Sequence, residues 1–329
     1  MGALERILYL VKGEVHMFYG PVLSRRFGYS LGIDLIPLKT CIYDCIYCQL
    51  GKTTNKTIKR KRYLDIDFNG FEVELLKKLG GCPYLNYITF SGSGEPTLNS
   101  DIAKLIGIVK KVTDIPVAVL TSGGTLGFGG VIDDIKEADL LKVSLDAPDD
   151  RLLKRINRPC REIIFDKNIS GIKRLLNSFN GDVWLEIMIL EGINDSLDSA
   201  YKFREIIEGL GEGIKKIHIN TAVRPSAGDY MKLPLKERIQ EIKNILGKKT
   251  ELIGKVDTKK YNRKLLLVEK EIMELLKRRP SGMNDISQAL GININETIKI
   301  VDKLFGEEKI IASSRGNTRY YFISEQKNE

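Results

Sequence analysis

Three of the chain's five cysteines, Cys41, Cys45 and Cys48, fall within eight residues, in the run "CIYDCIYCQLGKTT". Thiols so crowded can belong to a disulfide framework, to a zinc knuckle, or to an iron–sulfur cluster one ligand short. The composition argues against the first use. A chain of 329 residues that is 43% hydrophobic can bury a core without covalent staples. The odd cysteine count, and an N-terminus that does not read as a secretory leader, point to a reducing, cytoplasmic setting. A zinc knuckle wants four Cys or His ligands, commonly in paired CxxC units, and the remaining candidates, Cys82, Cys160, His16 and His218, form no second pair. A four-iron cluster on three thiolates leaves one iron open, and an open position on a catalytic metal is where a substrate or cosubstrate binds. No apolar run approaches bilayer length, and Arg6 stands where a myristoylation signal carries Ser or Thr, so no membrane partner is expected.

The thiols need a scaffold. Apolar runs at 31–37, 87–93, 116–122, 140–147, 183–190 and 214–223 are bounded by turn residues and read as buried strands. Between them, 67–80, 99–112, 130–138, 165–179 and 196–210 carry apolar residues at helical spacing, and 234–246 adds a helix after the last strand. This alternation predicts an α/β fold with a parallel sheet and its helices outside, as a full or partial barrel or as an open doubly wound sheet. Loops at the carboxyl ends of the strands form the active face in either case, and the cysteines follow the first strand. From Asn262 the alternation stops. Residues 265–280, 283–292 and 293–310 read as three helices and 310–323 as two strands around a Gly-Asn turn, the pattern of a winged helix-turn-helix. The expected domains are therefore 1–247 and 262–329, joined by a linker at 248–261.

With Tyr47 ahead of the last cysteine, CxxxCxxC resembles the cluster loop of the radical S-adenosylmethionine (SAM) superfamily. The resemblance implies a [4Fe-4S] cluster on Cys41, Cys45 and Cys48 whose open iron chelates the methionine end of SAM, and reductive cleavage of SAM to a 5′-deoxyadenosyl radical. It also implies a partial (β/α)6 TIM-like barrel. Ser93-Gly94-Glu95-Pro96 resembles the superfamily's GGEP segment, with Ser93 in place of the first glycine. Glycine permits close backbone approach, and a carboxylate or carbonyl suits an ammonium group. Ser144 and Asp146 alternate on one face of the fourth strand, where the superfamily's polar pair reaches the SAM ribose. Glu186 and Asn220 fall in segments that resemble those lining the adenine and substrate side. Each also has a plainer reading as a turn, a cap or a hydrogen-bonded core group. The longer run "YGPVLSRRFGYSLGIDLIPLKTCIYDCIYCQLGKTT" resembles a branch with Gly-Pro-Val and Ser-Arg-Arg signatures that is grouped with the tRNA wyosine-synthesis enzymes, and the likeness extends over residues 19–225. Those enzymes carry extra upstream cysteines, and no cysteine here precedes Cys41, so their reaction is not carried over. Cys82 and Cys160 read as buried fillers. Arg25 and Arg26 suit an anion or a structural ion pair.

Two features bear on the substrate. The formal charge is +9, and Lys52, Lys56, Lys59, Arg60, Lys61 and Arg62 follow the cluster loop without an intervening acid, a strip that fits a phosphate backbone or a solvated loop. The C-terminal segment is nearly balanced, with 12 Lys/Arg against 10 Asp/Glu, and Glu296 and Asp302 lie on its third helix. Its hairpin carries Arg315, Arg319, Tyr320 and Tyr321, so nucleic acid and protein are both open as partners. The expected function is radical SAM modification of RNA, tRNA in particular, served by an electron-donor protein. The alternatives are a protein or small-molecule substrate, and a non-enzymatic iron–sulfur redox sensor controlling transcription.

Overall fold

Alternation of side chains along the strands decides which face of the sheet meets helices and which encloses a chamber. The computed structural model describes residues 17–82, 85–221, 233–253, 263–278, 280–290, 292–315 and 318–324. His16, residues 222–225, the 254–261 part of the expected linker and residue 262 lie outside the described residues, as does the side chain of Arg315. β1 (Phe18–Ser24) and β2 (Gly28–Ile33) form an antiparallel hairpin. Short β3 (Thr40–Cys41) and β4 (Asn55–Lys56) pair in parallel on either side of the cysteine loop. Next come α1 (Phe68–Gly80), β5 (Tyr87–Phe90), α2 (Ile102–Val112), β6 (Val117–Thr121), α3 (Val131–Ile135), β7 (Leu140–Ser144), α4 (Asp150–Ile156) and α5 (Phe165–Ser178). Then follow β8 (Asp182–Ile189), α6 (Leu197–Leu210), β9 (Ile214–Thr221), α7 (Lys236–Leu246) and β10 (Thr250–Leu252). The eight-stranded sheet runs β1-β2-β5-β6-β7-β8-β9-β10 and is parallel from β2 onward.

All six expected strands are present, and two more join them. Pro21 makes β1 unreadable as a strand, and an edge position is where a sheet tolerates proline. β10 falls inside the expected linker, yet Thr250–Leu252 pair with Ile217, His218 and Ile219, so that stretch belongs to the sheet.

Ile88, Phe90, Val119, Leu141, Val143, Leu185 and Ile187 point outward into one core with the helices, each fully buried. Burial of such side chains stabilises the fold by roughly 1.5–3 kcal/mol apiece. The opposite face carries Thr89, Lys142, Ser144, Glu186, His218 and Asn220, and the hairpin tip closes it at one end. Phe27 stacks on Trp184 of β8 at 5.6 Å between ring centroids and 10° between planes. In a flat sheet, four strand spacings would separate β2 from β8 by about 19 Å. The sheet therefore curls around its polar face.

Arg26, from the same tip, pairs with Glu186, whose other oxygen accepts from Lys142 at 3.2 Å. Burial alone would lift the Glu186 carboxyl, but Arg26 and Lys142 together pull it down to about 2. Beside them His218 is held down to about 4, first by burial and then by Arg26, and stays neutral. Glu186, expected to line the cofactor side, is thus committed to a structural triad.

After the sheet come α8 (Arg263–Arg278), β11 (Ser281–Gly282), α9 (Met283–Leu290), α10 (Ile294–Gly306), β12 (Ile310–Arg315) and β13 (Thr318–Ile323), with strand order β11-β13-β12. They share a core of their own that includes Ile272, Ile286, Val301 and Tyr321. Tyr321 of the hairpin is 2% exposed. The first turns of α10 lie against the hairpin and β2. Glu296 Oε2 accepts from Gly20 N at 3.4 Å, Asn295 Nδ2 donates to Asp34 Oδ2 at 3.2 Å, and Lys299 sits 5.7 Å over the Tyr19 ring.

Two stability predictions follow from the closed end. Phe27→Ala should lower the free energy of unfolding by about 3–5 kcal/mol, read from denaturant curves. Glu186→Gln strands two buried cations and should cost a similar 3–5 kcal/mol or so at neutral pH. A carboxylate whose folded pKa lies below the ordinary 4.5 contributes stability that is full above 4.5 and is lost as the pH falls through 2. The deficit of the Gln variant should therefore close between those two pH values; a deficit constant across that window would refute the triad.

Candidate active site

The cysteine loop is clamped by its apolar residues and its backbone. Ile42, Tyr43 and Ile46 are buried, and Asp44 N and Ile46 N donate to Asn157 O and Ile156 O, both at 2.9 Å. Cys160, a core residue as expected, donates its N–H to Ile42 O at 2.9 Å. Cys82 is only half-buried, which corrects its reading as a core filler. Burial between these clamps pushes the Cys41 thiol up to about 12, with Glu95 and Cys48 adding to the effect, and it raises Cys45 likewise, with Cys41, Asp146 and Cys48 contributing. Burial thus keeps Cys41 and Cys45 as thiols until a metal takes them as thiolates. Among the described residues no three His, Cys, Asp or Glu side chains gather tightly enough to share one ion, as a zinc knuckle demands. A four-iron cube makes no such demand, because each thiolate meets a different iron.

The Ser93–Pro96 segment after β5 is stitched to the start of this loop. Lys39 N donates to Ser93 O at 2.7 Å, and Glu95 N donates to Thr40 O at 3.2 Å. A Cβ on Gly94 would lie 1.8 Å from Thr40 O, so glycine is the residue that fits. Ser93, in the place of the usual glycine, donates its hydroxyl to Asp34 at 2.6 Å and its N–H to both carboxylate oxygens at 3.1 Å. Burial raises the Asp34 carboxyl to about 6. Glu95 is 1% exposed and accepts five hydrogen bonds, from the N–H and hydroxyl of Thr97, the Thr121 hydroxyl, and the N–H and hydroxyl of Ser122. Its carboxylate joins the segment to the end of β6 and caps the short helical turn begun by Pro96. The acceptors left for an ammonium group are backbone carbonyls.

Asp146 is equally engaged. It accepts from the Tyr47 hydroxyl, from Asn157 Nδ2 at 3.0 Å and from Met188 N at 3.0 Å, while Asn157 also donates to Cys45 Sγ at 3.4 Å. Burial pushes both Asp146 and Tyr47 above their ordinary values. The expected ribose carboxylate and the aromatic residue of the motif are thus one brace behind the cluster loop. Ser144 is half-buried and accepts from Lys142 Nζ at 3.3 Å, and Asn220 accepts from Arg25 Nη2 at 3.4 Å. The structure brings Ser144 of β7 and Asn220 of β9 to the same inner face, with β8 between them. It adds Asp34, Asn157 and Lys39, which the motifs do not single out, because a partner brought in by the fold leaves no spacing signal.

The basic strip is less free than its charge run implies. Arg60 pairs with Asp134 and donates to Thr97 O at 2.9 Å, and Arg62 pairs with Asp101 at 2.7 Å. Lys56 donates to Arg158 O at 3.2 Å, and Lys61 lies 5.0 Å over the Tyr63 ring. Lys52 and Lys59 are exposed and make no ion pair among the described residues.

The family description "Radical SAM superfamily" matches residues 35–204. A UPF0026 protein of Methanocaldococcus jannaschii is 34% identical over 304 residues, covering 89% of this chain and 91% of that protein. A protein named GTPase Obg from Brachyspira hyodysenteriae is 34% identical over 300 residues, 90% of this chain, and the chain spans 43% of its length. The ribosomal RNA large subunit methyltransferase N of Nitrosopumilus maritimus is 27% identical over 219 residues, 63% of this chain and 58% of that protein. In fold, a radical SAM methyltransferase from Sphaerobacter thermophilus superposes with a TM-score of 0.50 at 20% identity, over 68% of this chain and 65% of that one. The chain belongs to the radical SAM superfamily, enzymes that work with a [4Fe-4S] cluster and SAM.

Proposed function

We propose that this radical SAM enzyme modifies RNA, with tRNA as the first substrate class to test, in the cytoplasm and with a one-electron donor protein as partner. The observation that carries the reading is the placement of Lys52 and Lys59, exposed and without ion pairs among the described residues, on the segment that leaves the cluster loop at the active face. Partial similarity to a protein named as a ribosomal RNA methyltransferase supports it. When bound, the cluster and SAM supply a 5′-deoxyadenosyl radical that abstracts a substrate hydrogen. The chain's own residues bind and orient. Cys41, Cys45 and Cys48 would hold the cluster, and the Gly94 backbone lets the Ser93–Pro96 segment approach the strand that carries Cys41. Tyr47 and Asp146 brace the loop from behind. Ser144 and Asn220 line the SAM and substrate side, while Phe27 and the Arg26–Glu186–Lys142 triad close the chamber floor and exclude water.

The C-terminal unit is read as a winged helix-turn-helix occupying residues 262–329, whose third helix is turned toward the barrel. Nucleic-acid reading by the first turns of that helix does not suit its contacts with Gly20, Asp34 and Tyr19. Contact with a partner then falls to the hairpin, where Arg319 lies 5.5 Å over the Phe305 ring.

Anaerobic reconstitution should load about four irons, and replacing any of Cys41, Cys45 and Cys48 with Ala should abolish loading while Cys82→Ala leaves it intact. Reduction with SAM should then release 5′-deoxyadenosine, measured chromatographically. Loading that survives a cysteine replacement would overturn the ligand set. For the substrate, the double replacement Lys52→Ala and Lys59→Ala should weaken tRNA binding and reduce the salt slope by roughly two, since each lost phosphate contact removes about one released counterion. Replacing Arg60 and Arg62 should act more on stability, because their partners are structural. Salt-independent binding, or none at low ionic strength, would transfer the proposal to a protein or small-molecule substrate.

A further inference from the structure

Lys39 stands two residues ahead of Cys41 on a backbone with φ of +59°, a region that long side chains avoid. It is held there from both sides: its N–H donates to Ser93 O at 2.7 Å, and its carbonyl accepts from Asn55 N at 3.1 Å. Backbone of this kind persists where the surroundings over-determine it, and it concentrates at functional sites. The consequence here is the placement of an ammonium group. The residue is 5% exposed, Nζ donates to Cys48 Sγ at 3.1 Å, and no carboxylate pairs with it among the described residues.

A buried cation is costly without a counter-charge. The group in reach is the sulfur of Cys48, which is a thiolate once it binds iron. Cluster potentials are set by net charge, solvent exposure and hydrogen bonds to the sulfurs, and a cation on a ligand sulfur favours the state that carries one more electron. We propose that Lys39 acts through Cys48 as the residue that sets the reduction potential of the cluster, holding it higher than the thiolates alone would. The inference rests on the three-cysteine cluster reading. In the step concerned, the [4Fe-4S]2+ state takes one electron from a one-electron donor and becomes [4Fe-4S]+. No bond is made or broken. Asn157, donating to Cys45 Sγ, is a neutral counterpart on a second corner.

The test uses the full-length protein, reconstituted anaerobically and titrated with dithionite through redox mediators while the reduced cluster is followed by electron paramagnetic resonance. Lys39→Met removes the charge at similar volume. Lys39→Gly removes it while relieving the backbone at φ +59°, so it tests the same point should the Met variant fail to load. Either loaded variant should keep about four irons and show a midpoint shifted to lower potential, and Lys39→Arg should stay near the parent. An unmoved midpoint in a loaded variant overturns the proposal. A fall in SAM affinity without a midpoint shift also overturns it and reassigns Lys39 to the cosubstrate's carboxylate. Failure of the parent itself to load iron would sink the cluster reading instead.

Discussion

The approach of the Gly94 backbone to the Thr40 carbonyl is the constraint on which the active face depends. Any side chain at residue 94 would occupy the position of that oxygen. With no Cβ there, the loop after β5 lies flat against the residue preceding Cys41, and two backbone hydrogen bonds, Lys39 N to Ser93 O and Glu95 N to Thr40 O, stitch the two segments together. The cysteine loop and the Ser93–Pro96 segment are therefore fastened together. Lys39 is drawn into its unfavoured backbone by the same stitching, which is how its ammonium reaches the cluster side of the loop.

Three buried carboxylates then tie this body to the rest of the molecule. Glu95 fastens it to the end of β6, Asp34 fastens Ser93 to the end of β2, and Asp146 fastens Tyr47 and Asn157 to β7 and β8. Each accepts several donors, as a buried carboxylate must if its burial is not to destabilise the fold. Burial still dominates at Asp34 and Asp146, whose carboxyls are raised, while at Glu186 two cations outweigh it. The mouth of the chamber is thus held by neutral and anionic hydrogen-bonding networks and its floor by an ion-pair triad.

The C-terminal unit shares in that arrangement. Asn295 reaches the same carboxylate that holds Ser93, and Glu296 and Lys299 contact the hairpin strand that carries Tyr19. Tyr19 is itself buried and hydrogen-bonds Ser91 at 2.5 Å, at the end of β5. A helix with alternating charge along the sequence is thus packed beside the Ser93–Pro96 segment through Asp34.

Local periodicity and ligand spacing were legible in the sequence because both are properties of neighbours along the chain. Six strands, their covering helices, the three-thiol loop and the place of that loop at the carboxyl ends of the strands follow from patterns a few residues long. The hairpin strand with Pro21 and the late strand at Thr250–Leu252 do not, since their pairing partners were decided at the sheet edges. The roles of the polar residues were decided only in three dimensions. Glu95, Asp146 and Glu186 look like free carboxylates in a motif, yet they bond to Thr121 and Ser122, to Met188 and Asn157, and to Arg26 and Lys142. Arg60 and Arg62 belong to a basic strip that fits a phosphate backbone or a solvated loop, and they are spoken for by Asp134 and Asp101. A hydrogen bond or ion pair depends on distances of a few ångströms between groups far apart in the chain, and only the packed sheet sets those distances.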